Sequence, residues 1–463
     1  MLLNKLKSFS ADTLYYGLSS VISRLVGFLL VPLFTRYLSP EDYGVMTLLG
    51  FYTLFFSPIS NLGLQGAMFR YVGFSKTKED EDIILSSAFK AVLVISSFFT
   101  LLSVILVKQL ELFLVHSDDY TILMLVIIFF SFFSCLNQIM FSYLRIKRKV
   151  KKIFYINMFK ILISVSLNIF LIVFVDLGLN GAVYSLLITS VTIFIILSII
   201  VQIPLFLSID FKYLKQMFNY GLPQVPKHLQ VIIMALFGQY YISKYLSVSD
   251  LGLYAVAWKF CLPMVVVTSV ILNSWNAFKF DLLKKKSQKK IFSQFSNLFI
   301  LISCFVFLIV CLWGGDLLIL FTDPKFHSGA VYIPYLCLIP LFDFLYKSMS
   351  SYISFGKNQS LNPYIGTTGL VTTIIASIIL IPKLSIIGVA YATSLGWFSM
   401  NIFGYLYGQS IFKVNFQLTK NIILIIFVII SGLFLKNIIN EFFVLFINLV
   451  LLTIYSYKLK YLK

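Results

Sequence analysis

Charge is the scarcest commodity in this chain. Only 12% of its 463 residues are Asp, Glu, Lys or Arg, about half the share of an ordinary soluble domain. With 59% hydrophobic residues and a mean hydropathy of +0.94, such a chain is solvated mainly by lipid. Acids are scarcer than bases, 18 against 37. That excess invites a nucleic-acid reading, yet the basic residues sit in short clusters between apolar runs. Membrane topology accounts for that placement, and no nucleic-acid partner is expected.

Other absences narrow the chemistry. The three histidines, His116, His228 and His327, are far apart and belong to no metal-spaced cluster or Ser/His/Asp arrangement, so neither a metal site nor a catalytic site is expected. The five cysteines (Cys135, Cys261, Cys304, Cys311, Cys337) all fall in apolar runs without a Cys-x-x-Cys spacing; they read as small packing residues. No G-x-x-x-x-G-K-[ST] loop is present, so no ATP-driven pump is encoded here. Long polar stretches are missing too, which leaves no room for a soluble domain or a catalytic external loop. Lys5 and Lys7 are not followed by a compact apolar core and a small-residue cleavage site, so no cleaved signal peptide is expected.

What the chain has in abundance is apolar runs long enough to cross about 30 Å of hydrocarbon as helices. They fall near 12–35, 44–69, 83–107, 120–144, 153–175, 180–203, 217–242, 252–276, 291–313, 330–352, 362–382, 385–410, 419–435 and 441–457. The chain also repeats itself. Arg36-Tyr37-Leu38-Ser39-Pro40-Glu41-Asp42 returns as Lys244-Tyr245-Leu246-Ser247-Val248-Ser249-Asp250 at an offset of 208. Tyr16-Gly17-Leu18 returns as Tyr220-Gly221-Leu222 at 204, and Leu177, Gly181 and Tyr184 return as Leu384, Gly388 and Tyr391 at 207. Two copies of one membrane unit follow from this. The expected fold is an all-α integral membrane protein with 14 transmembrane helices. Residues 1–210 form one six-helix lobe, 211–412 a second, parallel to the first, and 413–463 two C-terminal helices. An N-terminus inside puts 24 Lys and Arg on inner segments and 6 on outer ones, which places both termini in the cytoplasm.

Charges within spans carry the chemical information, because each is costly in lipid unless it faces a cavity or a partner. Gly17, Ser20, Arg24 and Gly27 share one helical face, which suits either a polar cavity wall or a close helix contact. In the second copy Lys227 and His228 lie at matching depth, one turn after Gln224, where Pro223 and Pro226 break the helix. Lys160 and Lys259 each line a cavity or snorkel to an interface. Asp343 and Lys347 are spaced i,i+4 and can pair, as a brace or a gate. Asn61 and Gln65, beside Pro58 and Gly63, mark a breakable helix that is a gate or a kinked packing element. Arg70 and Lys90 read as topology anchors or as groups at the cavity mouth. Arg24, Lys160, Lys227 and Lys259 against Asp343 make the interior cationic, which favours an anionic cargo such as a pyrophosphate.

The stretch Arg24 … Pro32 … Thr35-Arg36-Tyr37-Leu38-Ser39-Pro40-Glu41-Asp42-Tyr43-Gly44 resembles the opening of bacterial polysaccharide (O-antigen or capsule repeat-unit) flippases, members of the multidrug/oligosaccharidyl-lipid/polysaccharide (MOP) exporter superfamily. Tyr143-Leu144-Arg145 with the basic run to Lys152, then Asn157, Gly178 and Gly181-Ala182, extend the likeness. It implies MATE-like lobes around a central cavity in the bacterial inner membrane. The implied cargo is an oligosaccharide on undecaprenyl pyrophosphate, and a polysaccharide polymerase and chain-length proteins are implied as partners beside membrane lipids. Arg24 matches the family's basic cavity residues in position, whereas Lys227 and His228 match only as a basic pair. No cofactor is implied; coupling to H⁺ or Na⁺ stays open. The alternatives are a lipid II flippase, a cation-coupled drug antiporter, which would need buried acids, and a membrane polymerase or ligase, which would need a large outward loop.

Overall fold

The computed structural model describes residues 27–75, 77–203, 209–282, 288–350, 362–411, 413–433 and 448. Arg24 and most of the first and fourteenth spans lie outside the described residues. Every regular element among the described residues is helical, and 9 of the helices are long and apolar enough to cross a membrane. The chain divides into two compact units, Met1–Leu236 and Phe237–Lys463.

In the first unit α1 (Val31–Tyr37), α2 (Pro40–Asn61), α3 (Leu64–Phe74), α4 (Lys78–Ile105), α5 (Val107–Val115) and α6 (Thr121–Ile146) are followed by α7 (Val150–Ile169), α8 (Gly178–Val201), α9 (Phe211–Gly221) and the start of α10 (Val225–Tyr245). The hub is α6, which packs on α2, α3, α4 and α8 through buried Met124, Ile128, Cys135, Leu136, Ile139 and Leu144. The second unit holds the rest of α10, α11 (Val248–Leu282), α12 (Gln288–Phe321), a 3₁₀ stretch (Pro324–Tyr332), α13 (Ile333–Leu336), α14 (Leu338–Ser350), α15 (Asn362–Ile411) and α16 (Leu418–Leu433). Here α12 is central and packs on α11, α14 and α16. Outer faces carry apolar side chains such as Phe174 and Leu320, each about three-quarters exposed. In water they would be an aggregation hazard; lipid solvates them.

Helix boundaries depart from the apolar runs where side-chain chemistry intervenes. The second span is broken into α2 and α3, and the seventh into α9, a 3₁₀ turn (Leu222–Gln224) and α10. Pro223 and Pro226 remove backbone donors at the second break, whereas the first falls at Leu62 and Gly63, both at positive φ, just after Pro58 in the last turn of α2. The expected loop after span three instead forms α5. Spans eleven and twelve are the two arms of α15, separated at Ser385 (φ 52°), where the apolar runs divide.

The repeated phrases turn out to be helix punctuation. Ser39 caps α2: the Asp42 amide donates to Ser39 Oγ at 3.0 Å, and the Ser39 amide donates to the Asp42 carboxylate at 2.9 Å. At α11 the Asp250 amide donates to Ser247 Oγ at 3.0 Å, and that hydroxyl donates to the Asp250 carboxylate at 2.6 Å. Both copies thus start a spanning helix by satisfying donors that lipid cannot. Ser247→Ala should cost about 1 kcal/mol, read as a lower unfolding midpoint of the detergent-solubilised protein, with Ser247→Asp restoring it.

The third echo is a tight helical hairpin. Gly178 (φ 49°) and Ser385 (φ 52°) both take a positive φ at the 207-residue offset. Three residues on, a Cβ at Gly181 would lie 3.0 Å from the Leu171 carbonyl, and one at Gly388 would lie 2.5 Å from the Leu380 carbonyl oxygen. The two glycines let consecutive helices touch backbone to backbone. The cysteines are all free and buried, and Cys261 and Cys337 sit 3.4 Å apart, sulfur to sulfur.

Candidate functional site

A cavity of about 350 Å³ opens in the first unit, lined by Thr53, Ser57, Asn61, Gln65, Gln138, Gln224 and His228 together with Leu54, Pro58, Gly63, Gly66, Val225 and Ile232. Two broken helices build it. Pro58 weakens the end of α2, and Leu62 (φ 46°) and Gly63 (φ 73°) then turn left-handed before α3 begins. Asn61 Oδ1 accepts the Gln65 amide at 2.9 Å, replacing a bond that the interrupted ladder loses. Opposite, α9 ends at Gly221. A Cβ there would stand 2.6 Å from the Leu62 carbonyl oxygen, so the two breaks are pressed together and only glycine fits.

The polar side chains are pinned at one end. Gln65 Nε2 donates to Ser142 Oγ at 2.6 Å, Ser57 Oγ donates to Gln138 Oε1 at 3.2 Å, and the Thr53 and Ser131 hydroxyls are 2.7 Å apart. Gln65 Oε1, Asn61 Nδ2 and Gln138 Nε2 are left for a ligand. The side chains of Gln224 and His228 hydrogen-bond no other described residue. Among the described residues the lining holds no Lys, Arg, Asp or Glu. One turn beyond Gly66 on α3, Arg70 lies over the Tyr220 ring at 4.7 Å from its centroid; Tyr220 is itself one turn before Gln224.

Three of the expected site residues therefore meet here: Asn61, Gln65 and His228. Lys227 is exposed and outside the lining, because neighbours on a helix differ by about 100° and only one of the pair can face the cavity. Lys160 is exposed on α7 and Lys259 half-buried on α11 of the second unit. Gln138 was missed for a simple reason: it is an uncharged residue in an apolar run, and only its place on α6 reveals it.

Beyond α3 and α4 lies the basic end of the first unit. Glu81 pairs with Lys147. Thr77 caps α4 through Asp80, whose carboxylate also accepts from the Tyr213 hydroxyl at 3.1 Å. That hydrogen bond holds the Tyr213 phenol above its ordinary value. In the second unit Lys347 Nζ donates to Asp343 Oδ2 at 2.5 Å and stands 5.9 Å from the Trp397 ring. A second cavity there, about 420 Å³, is walled almost wholly by apolar side chains of α12, α14, α15 and α16, with Asn401 and Asn421 the exceptions; it suits hydrocarbon.

Solved membrane transporter structures share this all-helical fold of spanning segments. The lipid II flippase MurJ, in an inward closed conformation, is 19% identical with a TM-score of 0.73, covering 96% of this chain and 98% of its own. An inward-facing multidrug resistance MATE family transporter of the MOP superfamily is 15% identical at a TM-score of 0.68, covering 84% and 94%. A MOP superfamily transporter from Pyrococcus furiosus, described as having a binding pocket of reverse polarity, is 16% identical at 0.63, covering 86% and 95%. No curated protein matches the sequence. The model of the polysaccharide biosynthesis protein family matches residues 33–311. The chain belongs to that family, with the fold of the MOP transporters.

Proposed function

We propose that the chain flips an oligosaccharide repeat unit, carried on undecaprenyl pyrophosphate, from the cytoplasmic to the outer leaflet of the bacterial inner membrane by alternating access. The observation that carries this reading is the amide- and hydroxyl-lined cavity among spanning helices of a polysaccharide biosynthesis protein. Sugars need many hydrogen bonds inside a membrane, and this cavity supplies them at modest desolvation cost. The fold shared with a lipid II flippase, which is named for another lipid-linked sugar, supports the same class of cargo.

In this reading the basic end with Lys147, Lys149, Lys151, Lys152 and Lys212 faces the cytoplasm, as the distribution of Lys and Arg favours. Arg24 and Lys227 are proposed to meet the pyrophosphate at one stage of its passage, and Lys160 in the first unit and Lys259 in the second are each proposed as further contacts of the cargo. A polymerase and chain-length proteins take the product on the outer face. A proton or Na⁺ gradient, or the membrane potential acting on the anion, each suffices as a driving force.

The test is flipping by the purified full chain in proteoliposomes. Undecaprenyl pyrophosphate bearing a fluorescent N-acetylglucosamine, loaded in both leaflets, should become wholly quenchable by external dithionite within minutes. Protein-free vesicles should stop near half. Ethidium efflux in place of lipid flipping would establish a drug antiporter instead, and polymer made from the lipid-linked sugar would establish an enzyme.

A further inference from the structure

We propose that the first unit's cavity reads the uncharged sugar of the cargo and not its pyrophosphate, and that Arg70, held over Tyr220, takes the adjoining phosphate. This rests on the flippase reading above and divides that site into two parts.

The cavity's chemistry argues for a neutral, hydroxyl-rich ligand. After their protein bonds are counted, Gln138 Nε2 and Asn61 Nδ2 remain as donors, Gln65 Oε1 as an acceptor, and Gln224 offers both. A sugar hydroxyl donates and accepts at once, so a mixed wall satisfies it. A phosphate only accepts in its ionised form, so it would meet the Gln65 carbonyl oxygen unfavourably and find no fixed positive charge in the described lining. A cationic drug would likewise find no carboxylate there. Each pinned amide is held at one end by Ser57, Ser142 or its own helix start, and that fixes the direction of its free end before any ligand arrives.

The anion post lies where the linkage geometry needs it. Gly66 and Arg70 follow at i and i+4 on one face of α3, and Arg70 is about 6 Å along the axis from the cavity-lining Gly66. Tyr220 lies four residues before Gln224, across the 3₁₀ turn that ends α9. The guanidinium and its ring platform thus sit one turn from the cavity on both walls, towards the basic end. Arg70 has no carboxylate partner among the described residues, and the 4.7 Å stack holds the planar fork while leaving its edges open. An anion that entered past Lys147 would reach Arg70 with the attached sugar at the level of Gln65 and Gln224.

Binding of two lipids to the detergent-purified full chain separates the parts: undecaprenyl pyrophosphate bearing one N-acetylglucosamine, and undecaprenyl pyrophosphate without sugar. The unaltered protein should bind the first about tenfold more tightly. Gln224→Leu, at a side chain with no protein hydrogen bond to lose, should erase that preference and leave the affinity for the sugar-free lipid unchanged. Arg70→Ala should weaken both lipids about tenfold and keep the preference; Tyr220→Leu should do the same more weakly. Equal affinity of the unaltered protein for the two lipids, or loss of the sugar-free lipid in Gln224→Leu, overturns the division, as does an Arg70→Ala variant that binds both normally. In each of those cases the unaltered protein still flips lipid in vesicles. Failure of flipping itself would instead remove the flippase reading.

Discussion

Gly388→Ala should leave little folded protein in the membrane, although it adds a single methyl group. The new Cβ would lie 2.5 Å from the Leu380 carbonyl oxygen and 2.8 Å from Ile381 Cα. Both are backbone atoms of the preceding helical segment and cannot swing aside as a side chain could. Relief requires the two arms of α15 to part, at a site already strained by the positive φ of Ser385. Overpacking of this kind costs about 1–3 kcal/mol where side chains can adjust, so a backbone-to-backbone clash belongs at or beyond the upper end. The matched control is Gly181→Ala. Its Cβ would meet Leu171 at 3.0 Å, a distance that a few tenths of an ångström relieve. Size-exclusion profiles of solubilised membranes should show the Gly388→Ala peak reduced several-fold and aggregated, and the Gly181→Ala peak intact with a lower melting midpoint. A normal Gly388→Ala peak would refute the hairpin contact.

That hairpin also shows what a single sequence can reveal. The echo of Leu177, Gly181 and Tyr184 in Leu384, Gly388 and Tyr391 was visible as spacing, as was the echo of Ser39 and Asp42 in Ser247 and Asp250. Their meaning was not, because a cap and a close backbone approach are properties of geometry. The breaks after Pro58, at Leu62 and Gly63, and at Pro223 with Pro226 were legible, since proline and glycine act on their own backbone whatever surrounds them. The site was harder. Charge stands out in an apolar background, so Lys160, Lys227 and Lys259 drew the eye, yet the described cavity is walled by amides and hydroxyls. Gln138 carries no signal in a run such as Ser131 to Met140. Asn61 lines the cavity, but half of its amide is spent on starting α3. Asp343 and Lys347 were legible as a pair because i,i+4 spacing brings side chains together on any helix.

That pair yields an asymmetric prediction. Asp343 is the inner partner, with 18% of its side chain exposed against 44% for Lys347. Its Oδ1 is buried without a hydrogen-bond partner, so the Lys347 ammonium on Oδ2 is its compensation. Lys347→Met strands a carboxylate inside the helix bundle, a change that costs about 3–5 kcal/mol in fully buried pairs and about half of that here because Lys347 is partly exposed. Asp343→Leu leaves a lysine that can reach past the Trp397 ring towards its exposed side, and the cost should stay near 1 kcal/mol. The double variant should recover most of the loss, since two apolar side chains at i,i+4 on α14 pack without any charge to compensate. Thermal unfolding in detergent would show the order: Lys347→Met lowest, Asp343→Leu and the double variant close to the unaltered protein. If the double variant instead melted as low as Lys347→Met, the pair would be bonded to further groups across α14 and α15. If it melted normally but abolished flipping, with sugar-bearing lipid still bound, the ion pair would be a moving part of the transport cycle and not a brace.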